Sequence, residues 1–216
     1  MPFQYGVLGQ EKVEIGRRMK AACLARQVPH DIAWDDKSRI YGEAWTDFLE
    51  SARATLVTES GSNVFDEDWE LRKAVEAILK QAPATTYATV RAGLGIHDGP
   101  TKMNQISPKV FEAIAAGTAI VGFPGEYSGV LKPEHYIRLE KDFSNVDEVF
   151  RQLEDVDALQ AMVDRAYEDI IASGWWSYDR LTRAFDWALD DAGRRPGRTD
   201  LQPLCLLPPI CGARLV

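Results

Sequence analysis

The sequence lacks several features that would each assign it to a familiar class of protein. Its three cysteines, Cys23, Cys205 and Cys211, form no CxxC pair and no metal-ligand spacing, so we expect free thiols in a reducing compartment. The longest nearly unbroken apolar run, 113–123, is far shorter than the roughly 20 residues that span a bilayer. The first residues lack the basic and then apolar pattern of a signal peptide. We therefore expect a cytoplasmic protein without a membrane span.

Basic residues are also scarce, and they are unevenly placed. The 216 residues include 25 Lys+Arg against 33 Asp+Glu, a net charge of −8, which argues against nucleic acid as a partner. Residues 192–216 nevertheless hold four arginines and one acid, and they lack a helical or strand period. We interpret 1–190 as one domain and 191–216 as an irregular, largely disordered tail. A docking role for the tail and an aberrant end of the reading frame both stay open.

Standard catalytic motifs are missing as well. The sequence has neither G-x-G-x-x-G nor a P-loop, and the serine of Gly125–Gly129 stands one place away from the G-x-S-x-G pattern. The scattered histidines, His30, His97 and His135, are interpreted as surface or packing residues. Asp66-Glu-Asp68 has the D-x-D spacing of metal-dependent sugar transferases, but it precedes a predicted helix, where acids serve as caps. We favour the cap over the metal site.

Hydrophobic periodicity predicts short strands that alternate with helices. The predicted strands are 3–8, 31–34, 54–58, 119–123 and 136–139, and the predicted helices are 11–27, 43–52, 68–81, 108–117, two between 144 and 174, and 177–189. This order is typical of an α/β fold with a doubly wound, Rossmann-like parallel sheet of about five strands. Ligands of such sheets bind beyond the carboxyl ends of the strands. The loops 9–12, 59–63 and 124–130 are therefore the candidate binding loops.

Two local patterns in this frame have a binding interpretation and a structural alternative. Glu112 interrupts the otherwise apolar helix 108–117, where an ionised carboxylate could accept hydrogen bonds from two adjacent ribose hydroxyls. The alternative is a surface ion pair with Lys109. The glycines of the turn 124–129 could let backbone N–H groups face a diphosphate, or they could simply form a tight loop.

Four segments in this order resemble the nucleotide-binding domain of GT-B fold glycosyltransferases of the group 1 type. They also resemble a bacterial branch akin to spore-maturation glycosyltransferase-like proteins. The segments are Glu59-Ser-Gly-Ser-Asn-Val-Phe-Asp66, Asn104-Gln-Ile-Ser-Pro-Lys-Val-Phe-Glu112-Ala-Ile-Ala-Ala-Gly117-Thr, Gly125-Glu-Tyr-Ser-Gly129-Val-Leu-Lys-Pro and Lys141-Asp-Phe-Ser-Asn-Val-Asp-Glu148. The resemblance covers about residues 5–189.

The resemblance implies a role for each matching residue. Glu112 would hold the donor ribose, and Lys12 would neutralise the donor phosphates. Because positive groups are scarce near the cleft, Lys109 is a further candidate for the nucleotide site. The residues expected at the diphosphate and sugar are Gly125, Glu126, Tyr127, Ser128 and Gly129. The residues expected to line the cleft near the nucleotide are Glu59, Ser60 and Gly61. Two positions depart from the family pattern, since Asn104 replaces an acid eight residues before Glu112, and Val7-Leu8 stands where an arginine is frequent.

The implied function is transfer of a sugar from a nucleoside diphosphate sugar to an unidentified acceptor, with no essential metal. The chain matches only the C-terminal half of a GT-B fold, so we expect it to need a separate N-terminal acceptor domain or chain. Alone it would be inactive or poorly active, and no catalytic residue is assigned. Two alternatives remain open. One is a non-catalytic nucleotide-binding or protein-interaction module on the same fold, and the other is a metal-dependent transferase that uses Asp66.

Overall fold

A computed structural model describes residues 3–96 and 103–194. Within these ranges the helices are α1 (Val7–Arg26), α2 (Glu43–Ser51), α3 (Glu70–Gln81), α4 (Tyr87–Leu94), α5 (Pro108–Ala115), α6 (Val146–Glu154), α7 (Val156–Ala166) and α8 (Tyr178–Arg194). The strands are β1 (Ala54–Val57), β2 (Ala119–Gly122) and β3 (Ile137–Arg138). A π-helical segment, Tyr167–Ala172, continues α7. None of the helices in the described ranges combines the length and the apolarity needed to cross a membrane.

The three strands form one parallel sheet in the order β1-β2-β3. Ala54 pairs with Ala119, and Val121 pairs with Ile137. All four residues of the central strand are buried, as expected for a parallel sheet that is covered on both faces. Side chains alternate between the faces, so Ile120 packs with α2 and α5 while Val121 packs with α1 and α6. The result is the mixed α/β, Rossmann-like layering that the sequence predicts.

The unit α5–β2 forms where the sequence places it, because each of its boundaries has a local cause. Pro108 occupies the first helical turn, where its missing N–H costs nothing. Gly117 follows the helix at φ +70°, a conformation that favours glycine. The Thr118 hydroxyl then donates to the carbonyl of Leu49 at 2.6 Å, which fixes the entry of β2 against α2.

Two of the five predicted strands are wrong. Residues 3–8 form a short 3-10 turn (Phe3–Tyr5), after which α1 begins at Val7. A short apolar run fits a strand and a buried helix start equally well, and here Phe3 packs with α3 and α4. Residues 31–34 form neither a helix nor a strand, and the side chains of Ile32 and Trp34 lie against Gly16 of α1. The described sheet therefore has three strands.

Two helical segments also exceed the prediction. Helix α4 lies in a region for which the sequence predicts neither a helix nor a strand, and its Val90 packs with Val75 of α3 in a separate small core. Helix α8 continues through 191–194, although the sequence predicts that these residues belong to the irregular tail. The rest of that tail lies outside the described residues.

Candidate functional site

The loops that follow β1 and β2 meet at the carboxyl edge of the sheet, and the segment before α5 joins them. Ser60 and Gln105 form an antiparallel bridge, with N–H···O distances of 2.7 and 2.9 Å. Gly61 is required beside this bridge, because a Cβ on its backbone (φ +102°) would lie 1.9 Å from the carbonyl oxygen of Met103. The two loops and the first part of α5 therefore lie together at this edge, next to Lys12 of α1, and we call this region the edge cleft (residues 12, 58–63, 103–112 and 123–129).

Glu59 is buried at the centre of the edge cleft, and its carboxylate joins the loop after β2 to the segment before α5. Its Oε1 accepts the backbone N–H groups of Glu126 and Tyr127, both at 3.0 Å. Its Oε2 accepts the side-chain amide of Asn104 at 2.7 Å. Gly125 must be glycine here, because a Cβ would lie 2.7 Å from the Glu59 side chain. The backbone N–H groups of Glu126 and Tyr127, which the sequence suggested as donors to a diphosphate, thus donate to Glu59 instead.

The role of Asn104 follows from the same contact. Its amide donates to Glu59, and its Oδ1 accepts from Asn63 at 3.3 Å. An acid at this position, as in the family pattern, would place two carboxylates in contact, and like charges at that distance cannot both stay ionised at low cost. Asparagine at position 104, where the family pattern has an acid, is therefore compatible with the buried carboxylate of Glu59.

The remaining residues of the glycine-rich turn divide into an anchor and an exposed rim. Tyr127 is fully buried, and its hydroxyl donates to the carbonyl of Phe123 at 2.6 Å. Burial raises the pKa of Tyr127 well above its ordinary value, so the phenol stays protonated. Ser128 and Gly129 are exposed with positive φ, and the Ser128 hydroxyl oxygen accepts the N–H of Ile106 at 3.1 Å. Ser128 and Gly129 can meet a ligand, whereas Tyr127 supports the loop.

Two lysines face the edge cleft from different helices. Lys12, on α1, donates to the Ser60 hydroxyl at 2.8 Å. Lys12 is thereby held at Ser60, which pairs with Gln105, four residues before Lys109. Desolvation and the positive charge of Lys109 lower the pKa of Lys12. Among the residues that the structure describes, neither lysine forms an ion pair. Two neighbouring cations without an acid partner form an anion-attracting site in a chain of net charge −8.

Glu112 lies beside this pair, and a tryptophan orients it. The indole N–H of Trp45, on α2, donates to Glu112 Oε2 at 2.7 Å, and the ammonium of Lys109 lies 5.1 Å from the centre of the Trp45 ring. In the described part of the chain Lys109 does not pair with Glu112, so the surface ion pair considered as the alternative is not formed. Glu112 is exposed to solvent. In the sequence, Trp45 is marked only by its place on the apolar face of a predicted helix.

Residues weighed for other chemistry have structural roles. The Asp66 carboxylate accepts the N–H groups of Leu71 and Arg72 at 3.1 and 3.0 Å, so it caps the start of α3. His135 is buried, and its Nε2 lies 2.9 Å from Asp169. His30 Nδ1 lies 3.0 Å from the carbonyl of Val28. His97, Cys205 and Cys211 lie outside the described residues.

Comparison with known proteins assigns the family. A family model described as glycosyl transferase-like matches residues 15–185, which is most of the chain. The chain therefore belongs to this glycosyltransferase-like family, of the group 1 type that the sequence resembles. The matched range includes α5, the glycine-rich turn and Glu59, while Lys12 precedes it. No curated protein and no solved structure matches the chain.

Proposed function

We propose that the edge cleft binds the nucleoside diphosphate part of a sugar donor and that the chain is the donor-binding half of a GT-B glycosyltransferase. The observation that carries this proposal is the Lys12–Lys109 pair beside Glu112, at the carboxyl edge of the parallel sheet. Ligands of Rossmann-like sheets bind at this edge. Two unpaired cations suit a diphosphate, and an exposed, oriented carboxylate suits a vicinal diol.

Each group in the cleft has a separate task under this proposal. Lys12 and Lys109 neutralise the diphosphate and stabilise it as a leaving group, without a metal ion. Glu112 accepts hydrogen bonds from the ribose hydroxyls, while Trp45 keeps its carboxylate in place. Ser128 and Gly129 line the sugar side of the turn, and Ser60 keeps Lys12 at the cleft. The conformation of the glycine-rich turn is set by Glu59, Gly125 and Tyr127.

Two buried titratable groups of the cleft are already engaged and are unsuited to act as a general base. The oxygens of Glu59 accept hydrogen bonds from the protein itself, and the Tyr127 phenol is buried and stays protonated. We therefore propose that a separate N-terminal acceptor domain or chain completes the site, and that this chain alone binds a nucleotide but transfers sugar poorly or not at all. If it acts without such a partner, it is a nucleotide-binding module on the same fold.

Isothermal titration calorimetry of the full chain with a panel of nucleoside diphosphates tests the proposal. We expect one nucleotide to bind in a one-to-one ratio. We also expect the chain to release the nucleoside diphosphate from the corresponding nucleotide sugar no faster than the uncatalysed rate in buffer. Absence of heat with every nucleotide would contradict the binding site. Efficient release by the chain alone would contradict the need for a second half.

Replacing Trp45 by phenylalanine should weaken nucleotide binding by about threefold to tenfold. Phenylalanine keeps a ring for Lys109 and for the stack on Phe48, but it removes the N–H that holds Glu112. A charge-assisted hydrogen bond contributes about 1.5–3 kcal/mol at most, and part of it is recovered when Glu112 stays near its position. Calorimetry gives the affinity, and urea unfolding shows whether the fold is kept. Unchanged affinity for Trp45→Phe would show that Glu112 needs no such support.

A further inference from the structure

The ammonium group of Lys12 contacts a hydroxyl group and, among the residues that the structure describes, no acid. Its Nζ donates to the Ser60 hydroxyl at 2.8 Å, and the side chain is exposed. Lys141, which is half exposed, instead forms an ion pair with Glu11. An ion pair stabilises the charged form of a lysine, and Lys12 lacks this support.

Acids that are near Lys12 in the sequence or in the edge cleft are bound to other groups. The contacts are Glu11 with Lys141, Glu14 with Arg17, Glu59 with backbone N–H groups of the glycine-rich turn, and Glu112 with the indole of Trp45. None of these four carboxylates is therefore held at the Lys12 ammonium group.

The surroundings of Lys12 favour its neutral form, which is the nucleophile. Desolvation and the positive charge of Lys109 lower the pKa of Lys12, and no acid in the described ranges offsets them. Partial desolvation beside a second cation is one way in which proteins activate a lysine amine. The Ser60 hydroxyl oxygen can accept an N–H from the charged and from the neutral form, which leaves the lone pair of the neutral amine free to react.

The charge of Lys109 also indicates which kind of electrophile suits Lys12. Ser60, which holds Lys12, is bridged to Gln105, four residues before Lys109. A cation without an acid partner attracts small anions. An acyl phosphate carries an acyl group and an anionic leaving group in one molecule. Lys109 would attract its phosphate and would stabilise that phosphate as it leaves.

We propose that Lys12 is an acylation site for acyl phosphates, and that its acylation and the binding of a diphosphate exclude each other. The neutral amine nitrogen attacks the carbonyl carbon, so that a C–N bond forms and the C–O bond to phosphate breaks. The phosphate leaves with the electron pair of that bond, and the amine proton passes to it. The product is a neutral amide, so one of the two cations is lost. The acylation stands on the contacts of Lys12, whereas the exclusion rests on the proposed function.

Incubation of the full chain with acetyl phosphate, followed by peptide mass spectrometry, tests the acylation. After denaturation, the lysines that have not reacted are acetylated with heavy-isotope acetic anhydride, so the light-to-heavy ratio gives the extent of reaction at each lysine. Cleavage at arginine then leaves Lys12 as the only lysine of peptide 1–17 and Lys141 as the only lysine of peptide 139–151.

Lys12 should react about threefold to tenfold faster than Lys73 and Lys80, because a neighbouring cation raises the local concentration of the anionic reagent. Lys73 and Lys80 are exposed lysines of α3 and serve as references in the same sample. Lys141, which is paired with an acid, should react no faster than these references. A rate at Lys12 that does not exceed the rates at Lys73 and Lys80 would overturn the proposal.

Removal of the neighbouring charge tests the role of Lys109. Lys109→Gln should lower the rate at Lys12 to about that of Lys80, while the rate at Lys80 stays unchanged and shows that the fold is kept. Lys73→Gln is the matched control, since it removes one charge from α3 and should leave the rate at Lys12 unchanged. An equal rate at Lys12 in the two variants would contradict the proposed attraction.

Inorganic pyrophosphate separates this proposal from the proposed function. As a diphosphate probe, it should slow the acylation of Lys12 by about threefold or more, through occupation of the lysine pair, without slowing that of Lys73. Fast acylation of Lys12 that pyrophosphate does not slow would contradict the diphosphate site and leave the acylation site in place. Protection of a Lys12 that reacts no faster than Lys73 would support the diphosphate site and overturn the acylation site.

Discussion

Replacing Glu59 by alanine should lower the free energy of unfolding by about 3 kcal/mol or more. The substitution removes a buried carboxylate and leaves the N–H groups of Glu126 and Tyr127 and the amide of Asn104 without their acceptor. Stranding buried donors costs about 1–3 kcal/mol for each group. The effect is large because one side chain joins the loops after β1 and β2 to the segment before α5.

Urea denaturation of matched variants measures this contribution. Glu59→Gln keeps an oxygen for the two backbone N–H groups, so it should cost roughly half as much as alanine. Glu50→Ala, an exposed acid on α2, is the control and should change stability by less than about 0.5 kcal/mol. If Glu59→Ala unfolds like the control, Glu59 does not anchor the edge cleft.

Replacing both Lys12 and Lys109 by glutamine should weaken nucleoside diphosphate binding by about a hundredfold. Each ammonium group is expected to make a charge-assisted hydrogen bond to phosphate, at about 1.5 kcal/mol or more. Neither lysine has an acid partner among the described residues, so their removal strands no buried charge. The variant should therefore keep its stability while it loses its ligand.

The control for net charge is the double variant Lys73→Gln/Lys80→Gln, which also removes two positive charges but takes them from α3. Calorimetry of both double variants at one ionic strength separates local contacts from the overall field, which salt screens. The control should bind as the wild type does. Equal losses in the two double variants would show that Lys12 and Lys109 do not contact the phosphates.

The lowered pKa of Lys12 adds a pH signature to this prediction. Because desolvation and Lys109 favour its neutral form, Lys12 loses its charge at a lower pH than an ordinary lysine. Nucleotide affinity should be full below that pKa and should fall as the pH rises through it. Lys12→Arg keeps the charge, so its affinity should hold further into the alkaline range. Identical pH profiles for the two proteins would exclude Lys12 as the titrating group.

Local sequence signals predicted the part of the fold whose boundaries have local causes. Pro108, Gly117 and the stripe between them define α5, and a buried apolar run defines β2. Pairing between strands is a long-range property, so the apolar residues around 3–8 and 31–34 looked like strands although no partner strand lies beside them. Their true partners are helices, which a single sequence does not reveal.

The candidate site, like the fold, has one part that local sequence signals predict and another part that depends on long-range contacts. Glu112 and the glycine-rich turn stand out in the sequence because they break a local pattern. The contacts of Trp45 with Glu112 and of Asn104 with Glu59 join residues 67 and 45 positions apart. The sequence placed Glu59 in the cleft, but only the fold shows that its carboxylate points inward to backbone amides. The sequence could predict which residues lie at this edge of the sheet, whereas it could not predict the direction in which each side chain points.

A cycle of protein and ligand variants tests whether Glu112 binds the donor ribose in the edge cleft. The affinities of wild type and Glu112→Ala are measured for one nucleoside diphosphate and for its 2′,3′-dideoxy form. Wild type should lose about tenfold or more on removal of the hydroxyls, since two hydrogen bonds to a carboxylate are lost. Glu112→Ala should bind both ligands with the same weak affinity. An equal loss in both proteins would place the ribose elsewhere and contradict the account.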